Sequence, residues 1–344
     1  MKCVYFNQHG TEEVLTYGEL PTPEAGPGQV LVAIKACALN HLDLWVRRGL
    51  PSLKLALPHI LGSDISGVVA QVGPGVTHVQ PGAEVIVSPG VSCGHCKACL
   101  SGRDNYCFHY GVIGEHRSGG YAEYIAVPAV NIIPKPATLN FHEAAAFPLT
   151  FLTAWHMLVS KCRVQPADWV LVLAAGSGVG VAAIQIAKLH GARVIAAAGS
   201  AAKLEKAQAL GADFLINYEE QNFREVARQI TKRRGVDIVF EHVGEKTWDD
   251  SIKVLAPGGR VVTCGATSGY RAVTDLRYLF SRNLTLFGSI MGSQGEMRHL
   301  TELFEAGMLR PVIDRVLPLH EAAEGHRLLA RREQFGKVVL AVSG

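Results

Sequence analysis

The chain has 344 residues, 48% of them hydrophobic and 18% charged, with a formal net charge of +3. That length favours two hydrophobic cores over one, and so small a charge excludes nucleic-acid or membrane-surface binding built on electrostatics. No apolar run approaches the roughly 20 residues of a membrane span, and the opening MKCVYFNQHG carries no signal-peptide apolar segment, so a cytoplasmic protein is expected.

Residues 1–140 read as short β-runs broken by Pro and Gly. VLVAIKACALN, SGVVAQVG, AEVIVSPG and YAEYIAVPAVNIIP have strand character, with turns such as Gly73-Pro74-Gly75 between them. The pattern predicts a β-rich, barrel-like domain. Inside it, four of the eight cysteines (Cys93, Cys96, Cys99 and Cys107) fall in one fifteen-residue window, while Cys3, Cys37, Cys162 and Cys264 are scattered. That distribution is a metal cluster with bystanders, not a disulfide framework. Four thiolates on a C-x2-C-x2-C-x7-C array, in a lobe over residues 90–110, can wrap one Zn²⁺ tetrahedrally with no open position, so the site is expected to be structural. His95, between two of the cysteines, reads as a bystander of an already complete shell.

Residues 141–292 alternate strand and helix. The unit from Asp168 to Ser200 is the clearest part: an apolar run Trp169 to Ala174, a turn with Gly176, Gly178 and Gly180, a helix over Val179 to His190 closed by Gly191, and a second apolar run Arg193 to Ala198. A glycine-rich turn opening a helix after a buried strand lets backbone N–H groups meet a pyrophosphate, with Ser177 and Val179 completing the turn. Val181 stands where a strict fingerprint has its third glycine. The second strand ends Ala198-Gly199-Ser200 without the Asp or Glu that holds a free ribose 2′-OH. Gly199 and Ser200 leave room and a hydroxyl for a 2′-phosphate and Lys203 adds positive charge, so NADPH is the expected cofactor; a solvated helix lysine is the plain alternative for Lys203. FLINY, VDIVFEHVG, GGRVVTCGA and LTLFGSI supply further strands, with KLEKAQALG, FREVARQITKR and KTWDDSIKVL as helices between them. Six strands so arranged predict a doubly wound parallel sheet. Residues 293–344 carry two amphipathic helix patterns (MRHLTELFEAGML and HEAAEGHRLLARR) and a last strand, GKVVLAV.

AAGSGVGVAAIQIAK, GSDISGVVAQVGPGV and LPLHEAAEGHRLL followed by FGKVVL together resemble the medium-chain dehydrogenase/reductase superfamily, in its quinone-oxidoreductase-like and zinc-binding alcohol-dehydrogenase-like branches. The resemblance runs the length of the chain. It implies an α/β protein with a discontinuous GroES-like catalytic domain (1–140 and 293–344) and a Rossmann domain (141–292). The cysteine spacing matches the structural-zinc lobe of the zinc alcohol dehydrogenases. Their catalytic zinc ligands fall here on Asn40, Ser63 and Leu149, an amide, a hydroxyl and an isobutyl group that cannot replace two thiolates and an imidazole. His41, Asp43, His59, Asp64 and His116 leave open a rearranged metal site, although His59 can equally pack at a strand start and Asp43 satisfy a helix N-terminus.

The quinone-reductase branch instead shows Asn and Gly-Ser-Asp at those places, so the resemblance makes Asn40 a contact to nicotinamide or substrate, with Asp64 beside it. It likewise carries over Thr153, on the first helix of the cofactor domain, as packing on the nicotinamide. A mid-helix threonine is also ordinary. Val243 and Gly265 match cofactor-contacting loops, and Ser200, Lys203 and Tyr218 match the 2′-phosphate site of NADPH-dependent quinone reductases. The implied function is an NADPH-dependent oxidoreductase delivering hydride to a conjugated small-molecule acceptor (quinone, enone or enoyl thioester) without catalytic zinc. His41 and His116 are candidate proton donors. A zinc alcohol dehydrogenase with a rearranged site, and an NADPH-binding protein with little activity, remain alternatives. Acceptor identity is expected to lie in loops over residues 45–54 and 278–283, and the family implies a homodimer or homotetramer pairing through LTLFGSI.

Overall fold

A ten-residue strand, Gln29–Ala38, is the spine of the first unit, in a computed structural model that describes residues 1–50 and 53–342. Pro51 and Ser52, within one loop expected to shape the substrate site, and Ser343 and Gly344, at the end of the expected catalytic domain, lie outside the described residues. Apart from Gln29 and Lys35 the spine is apolar, and most of its residues are buried. It pairs antiparallel with Asp64–Val72, Tyr124–Pro128 and Lys337–Ala341, and the sheet continues to Glu84–Val87 and Ile132–Pro134 on one side and Ile313–Pro318 on the other. Register shifts near Leu31/Val32 and Ile34/Ala36 bend it in the manner of β-bulges. A smaller sheet joins Thr16–Glu19, Lys2–Phe6 and His59–Ile60. Val30, Val32, Ile34, Cys37, Ile65, Val69, Val85 and Val87 are fully or almost fully buried between these elements.

Two compact units divide the chain: Met1–Leu149 with Gly292–Gly344, and Thr150–Met291. The change of rhythm at residue 141 precedes the change of unit, because the Phe141–Ala145 helix packs on the spine and on Asp64–Val72 and is tied there by a 2.6 Å bond from Ser66 Oγ to the Phe141 carbonyl. The strand Ile313–Pro318 has no period-two pattern in IDRVLP. It exists as the parallel edge partner of Lys337–Ala341.

In the second unit six parallel strands lie in the order Phe214–Asn217, Arg193–Ala198, Trp169–Val172, Val236–Glu241, Leu255–Thr263, Thr285–Gly288. Successive strands are added on one side of Trp169–Val172 and then on the other, and in such parallel sheets the crevice at that switch is where a dinucleotide sits. The first helix runs Gly178–Leu189, and Gly191 follows with φ of +73°, the left-handed turn that a glycine adopts at no steric cost. One expectation needs correction: residues 278–282 are not loop but part of the helix Leu276–Arg282, started by Asp275 accepting from Arg277 N and ended by left-handed Asn283. Likewise residues 45–48 belong to the helix His41–Arg48. Among the described residues, no helix is long and apolar enough to cross a membrane.

Candidate functional site

Ser177 shapes the glycine-rich turn. Its hydroxyl caps the Gly178–Leu189 helix, accepting from Gly180 N at 3.0 Å. A Cβ on Gly180 would stand 2.7 Å from the Ala174 carbonyl, so close helix–strand packing falls to this glycine and Val181 is free to be apolar core. The N–H groups of Gly178 and Val179 open the helix, where no intrahelical acceptor is available to them and a phosphate can be met. His242, not singled out in the sequence, braces the turn: its Nε2 donates to the Leu173 carbonyl at 3.0 Å and lies 3.4 Å from Ser177 Oγ.

Farther along, Ser200 caps the helix Ala201–Ala209 through Lys203 N, and Tyr218 follows the third strand with its ring over Gly199, where a Cβ would lie 3.1 Å from it. Gly199, the Ser200 hydroxyl, the backbone N of Lys203 and the Tyr218 ring therefore lie together at the end of the second strand. Val243 and Gly265 also share one loop cluster. The Val243 carbonyl accepts from Ser268 N at 2.7 Å, and Gly265 is tied to Thr263 Oγ1. Beneath them the fully buried Glu241 carboxylate accepts from Val243 N, Gly244 N and Thr247 Oγ1 at 2.7–2.8 Å. Thr153 lies buried on the Pro148–Trp155 helix, its hydroxyl 3.9 Å from Met291 Sδ.

The cysteine lobe of the first unit fits one zinc ion. The Sγ atoms of Cys93, Cys96, Cys99 and Cys107 all lie within 4.8 Å of one another. Sulfurs on a tetrahedron with Zn–S of about 2.3 Å are about 3.8 Å apart; Cys93 and Cys99 are 3.8 Å apart, and Cys96 and Cys99 3.5 Å. Backbone N–H groups of His95 and Cys96 aim at Cys93 and hold its thiol down to about 6, which favours the ligating thiolate. The His95 ring turns back to the Cys93 carbonyl at 2.8 Å, as a bystander.

Asn40 and Asp64 are brought together, with a third partner that sequence reading passed over. Asn40 leaves the spine two residues after Ala38, which pairs with Asp64 on one side and Val339 on the other. Continuing that antiparallel register places Lys337 opposite Asn40. Its ammonium donates to Asn40 Oδ1 at 2.6 Å and to Asp64 Oδ2 at 2.7 Å, while Asn40 Nδ2 donates to Asp64 Oδ2 at 2.9 Å. The other oxygen, Asp64 Oδ1, accepts from Leu149 N at 2.6 Å. All three side chains are buried, Lys337 at 3% and Asp64 at 0% exposure. A lysine this deep is rare unless paired. Its signal in the sequence was a charge opening an otherwise apolar strand, KVVLA.

Asp43 does what a helix-start carboxylate does, accepting from Asn40 N at 2.7 Å, and it also receives Gly62 N at 3.2 Å and Tyr121 Oη at 2.9 Å. Burial nevertheless raises it to about 6. Behind it runs a buried chain whose proton positions follow from donor chemistry. Arg47 can only donate, so His326 Nδ1 accepts from its Nη1 at 2.9 Å and Nε2 carries the hydrogen; that N–H faces Tyr121 Oη at 3.3 Å, whose own hydrogen goes to Asp43. Burial and the charges of Arg47 and Arg48 hold His326 down to about 3, a neutral imidazole.

No second metal centre assembles from the remaining candidates. Asn40 gives its Oδ1 to Lys337 and one N–H to Asp64. Leu149 offers only its backbone, and the Ser63 hydroxyl is buried without a protein partner. His59 is committed to the Gly114 carbonyl at 3.1 Å, and His116 Nδ1 accepts from Val112 N at 3.2 Å in a local turn. His41 stacks edge-on against Trp45, and burial with the nearby charges of Arg332, Arg48 and Lys337 keeps it near 4 and so neutral. Among the described residues, the four cysteines are the one group of three or more His, Cys, Asp or Glu placed to hold a metal. The donor set at Asn40, Ser63 and Leu149 does not fit zinc.

Family models match both units: "Alcohol dehydrogenase GroES-like domain" over residues 26–137 and "Zinc-binding dehydrogenase" over 178–306. The chain is 32% identical over 350 residues to the NAD-dependent alcohol dehydrogenase of Sulfolobus acidocaldarius, covering 100% of both. The chain belongs to the medium-chain dehydrogenase/reductase superfamily. Within the superfamily it is also 32% identical to the crotonyl-CoA reductase of Streptomyces collinus, over 93% of this chain and 80% of that protein. A crystal structure of an NAD-dependent alcohol dehydrogenase aligns with a TM-score of 0.97 at 53% identity, covering 100% of both chains. As a member of this superfamily the protein is an oxidoreductase that works with a nicotinamide cofactor.

Proposed function

We propose that the protein is an NADPH-dependent reductase of conjugated acceptors (a quinone, enone or enoyl thioester) that works without catalytic zinc and holds one structural Zn²⁺ in its cysteine lobe. One observation carries the reading. The position where zinc alcohol dehydrogenases of the family place a thiolate is an amide, Asn40, already hydrogen-bonded into a buried ammonium–carboxylate pair, Lys337–Asp64. Without a Lewis acid, holding an alkoxide at neutral pH is hard. Reducing an activated alkene is less demanding, because charge arriving at the β-carbon spreads onto a conjugated oxygen that hydrogen-bond donors can stabilise. Bound NADPH supplies the hydride. The chain's part is to seat the dinucleotide at Ser177, Gly178 and Val179, to favour its 2′-phosphate with Ser200, Lys203 and Tyr218, and to offer donors such as the Asn40 amide to the acceptor oxygen. The α-carbon then takes its proton from solvent. His41 and His116 are poor acids for that step, since one is held neutral and the other is engaged with backbone.

A second reading, NAD-dependent alcohol dehydrogenation, is favoured by the names of the Sulfolobus relative and of the 53%-identical structure. We also propose a homodimer or homotetramer: Thr285–Gly288 is the open edge of the six-stranded sheet, and Leu276, Phe280 and Ile290 nearby are more than half exposed.

The test is oxidation of NADPH and NADH by the purified protein with crotonyl-CoA, 2-cyclohexen-1-one and 9,10-phenanthrenequinone, beside NAD⁺ or NADP⁺ reduction with a series of primary and secondary alcohols, and zinc per subunit by elemental analysis. The expected result is saturable NADPH oxidation with a conjugated acceptor, little alcohol turnover and zinc near one. Alcohol turnover alone, with zinc near two, would replace this reading by the second. No turnover with any of them, beside tight NADPH binding, would leave a binding protein.

A further inference from the structure

Asn40 sits between a donor and an acceptor in a way that permits one amide orientation. With Oδ1 toward Lys337 and Nδ2 toward Asp64, every contact pairs a hydrogen with a lone pair. Turned over, the amide would set its N–H₂ against the ammonium and its oxygen against the carboxylate, donor to donor and acceptor to acceptor. Lys337 and Asp64 are themselves fixed, since each is bonded to the other and Asp64 is bonded also to Leu149 N. An amide carries two N–H bonds and Asp64 takes one. We infer that Lys337, acting through Asn40, is a positioning residue for hydride transfer: it locks the amide so that its second N–H is the donor offered to the acceptor's conjugated oxygen. The inference rests on the reading of the protein as a reductase of conjugated acceptors. It adds a residue 297 positions away in the chain, whose ammonium is bonded to Asn40 and Asp64.

The role differs from a structural one in what it predicts. A lysine that merely held the strand in place would lower stability and leave turnover per folded molecule alone. A lysine that orients Asn40 lowers kcat with little change in the KM for NADPH, and its effect vanishes once the amide is gone. Lys337→Met, Lys337→Arg, Asn40→Ala and the Asn40→Ala/Lys337→Met pair are assayed with NADPH and crotonyl-CoA. Because Lys337→Met leaves a buried carboxylate uncompensated, Asp64→Asn/Lys337→Met removes both charges and keeps the experiment readable should the single variant not fold.

Removing one preorganised donor of this kind costs on the order of 100-fold in kcat. The expected result is that order of loss for Asn40→Ala and Lys337→Met alike, and no further loss in the Asn40→Ala/Lys337→Met pair. Lys337→Arg restores kcat to within about tenfold of the parent, since the charge and a donor remain. Multiplying losses in the pair, or parental kcat in folded Lys337→Met or Asp64→Asn/Lys337→Met, would overturn the inference.

A second readout does not depend on turnover. The Asn40 side-chain ¹H–¹⁵N pair is identified by its disappearance in Asn40→Ala and compared with Asp64→Asn/Lys337→Met. Two separate, slowly exchanging resonances in the parent that shift and exchange rapidly in the charge-free variant support the lock; an unchanged pair removes it. Should the parent reduce none of the acceptors, the functional reading fails, and this spectrum still decides whether Lys337 holds the amide.

Discussion

Lys203 is the residue on which cofactor choice is expected to turn. The second strand ends without a carboxylate, the Tyr218 ring lies over Gly199, and Ser200 caps the helix on which Lys203 stands in the first turn. A 2′-phosphate there gains a charge-assisted contact that a 2′-OH does not. Lys203→Ala should therefore raise the KM for NADPH severalfold, an exposed charge contact contributing up to about 1 kcal/mol, while the KM for NADH moves little. Steady-state kinetics with both cofactors checks it; equal changes in the two would make Lys203 the solvated helix lysine of the plain reading. Residues of this kind were legible because they are local. Gly199, Ser200 and Lys203 lie within five consecutive positions next to a recognisable strand. Asn40 was legible only through resemblance, and Lys337 only as an unexplained charge at the start of an apolar strand, because the partner that gives each its meaning is hundreds of residues away.

The cysteine lobe is an element whose shape depends on its metal. Its backbone makes only the four-residue helix Lys97–Leu100 and a short turn at Asp104–Tyr106, and among its larger side chains Leu100, Tyr106 and Phe108 are exposed, so apolar burial contributes little to holding it. The four thiolates must do so instead. Cys99→Ser should release the zinc measured in the parent and make the segment over residues 93–107 the first to be cut in limited proteolysis. A parent-like digestion pattern in the zinc-free variant would show that the lobe holds without metal. The cluster was readable from spacing alone, since ligands within fifteen residues need no tertiary contact to converge. The helix Leu276–Arg282 went unrecognised, although its Asp275 start and Asn283 stop are both in the sequence, because seven residues leave too short a period to set against the loop reading.

Across the whole molecule, buried histidines make stability sensitive to acid. His326 is held down to about 3 in the fold against 6.5 for an ordinary histidine, so between those pH values the unfolded chain binds a proton the folded chain refuses. Stability from this group is full above about 6.5 and is lost as the pH falls through the window, at about 1.4 kcal/mol per pH unit. Asp43 acts in the opposite sense: its folded value of about 6 lies above the ordinary 3.8, so it favours the fold below that range and opposes the histidine between about 4 and 6. His41, held near 4, adds to the histidine side, and the net expectation is a decline in stability from pH 7 to pH 5. His326→Gln keeps an acceptor for Arg47 and a donor for Tyr121 but does not titrate. Urea unfolding at pH 5, 6 and 7 should show its pH slope reduced by about one proton; an unchanged slope would mean His326 is protonated in the fold.

What the sequence determined by itself was whatever repeats or converges over short distances. The alternation of buried strands and helices that makes a doubly wound sheet, the glycine turn with its Ser177 cap, and the thiolate array all lie within one or two elements. Tertiary structure alone decided the rest. The GSD segment, the Asn40 helix start and the last strand meet because the Gln29–Ala38 spine pairs with one of them on each side, in a register that places Asn40 opposite Lys337. Antiparallel pairing between strands about 300 residues apart leaves no periodic trace in either, so the ammonium bonded to Asn40 and Asp64 could be seen only once the sheet was closed around it.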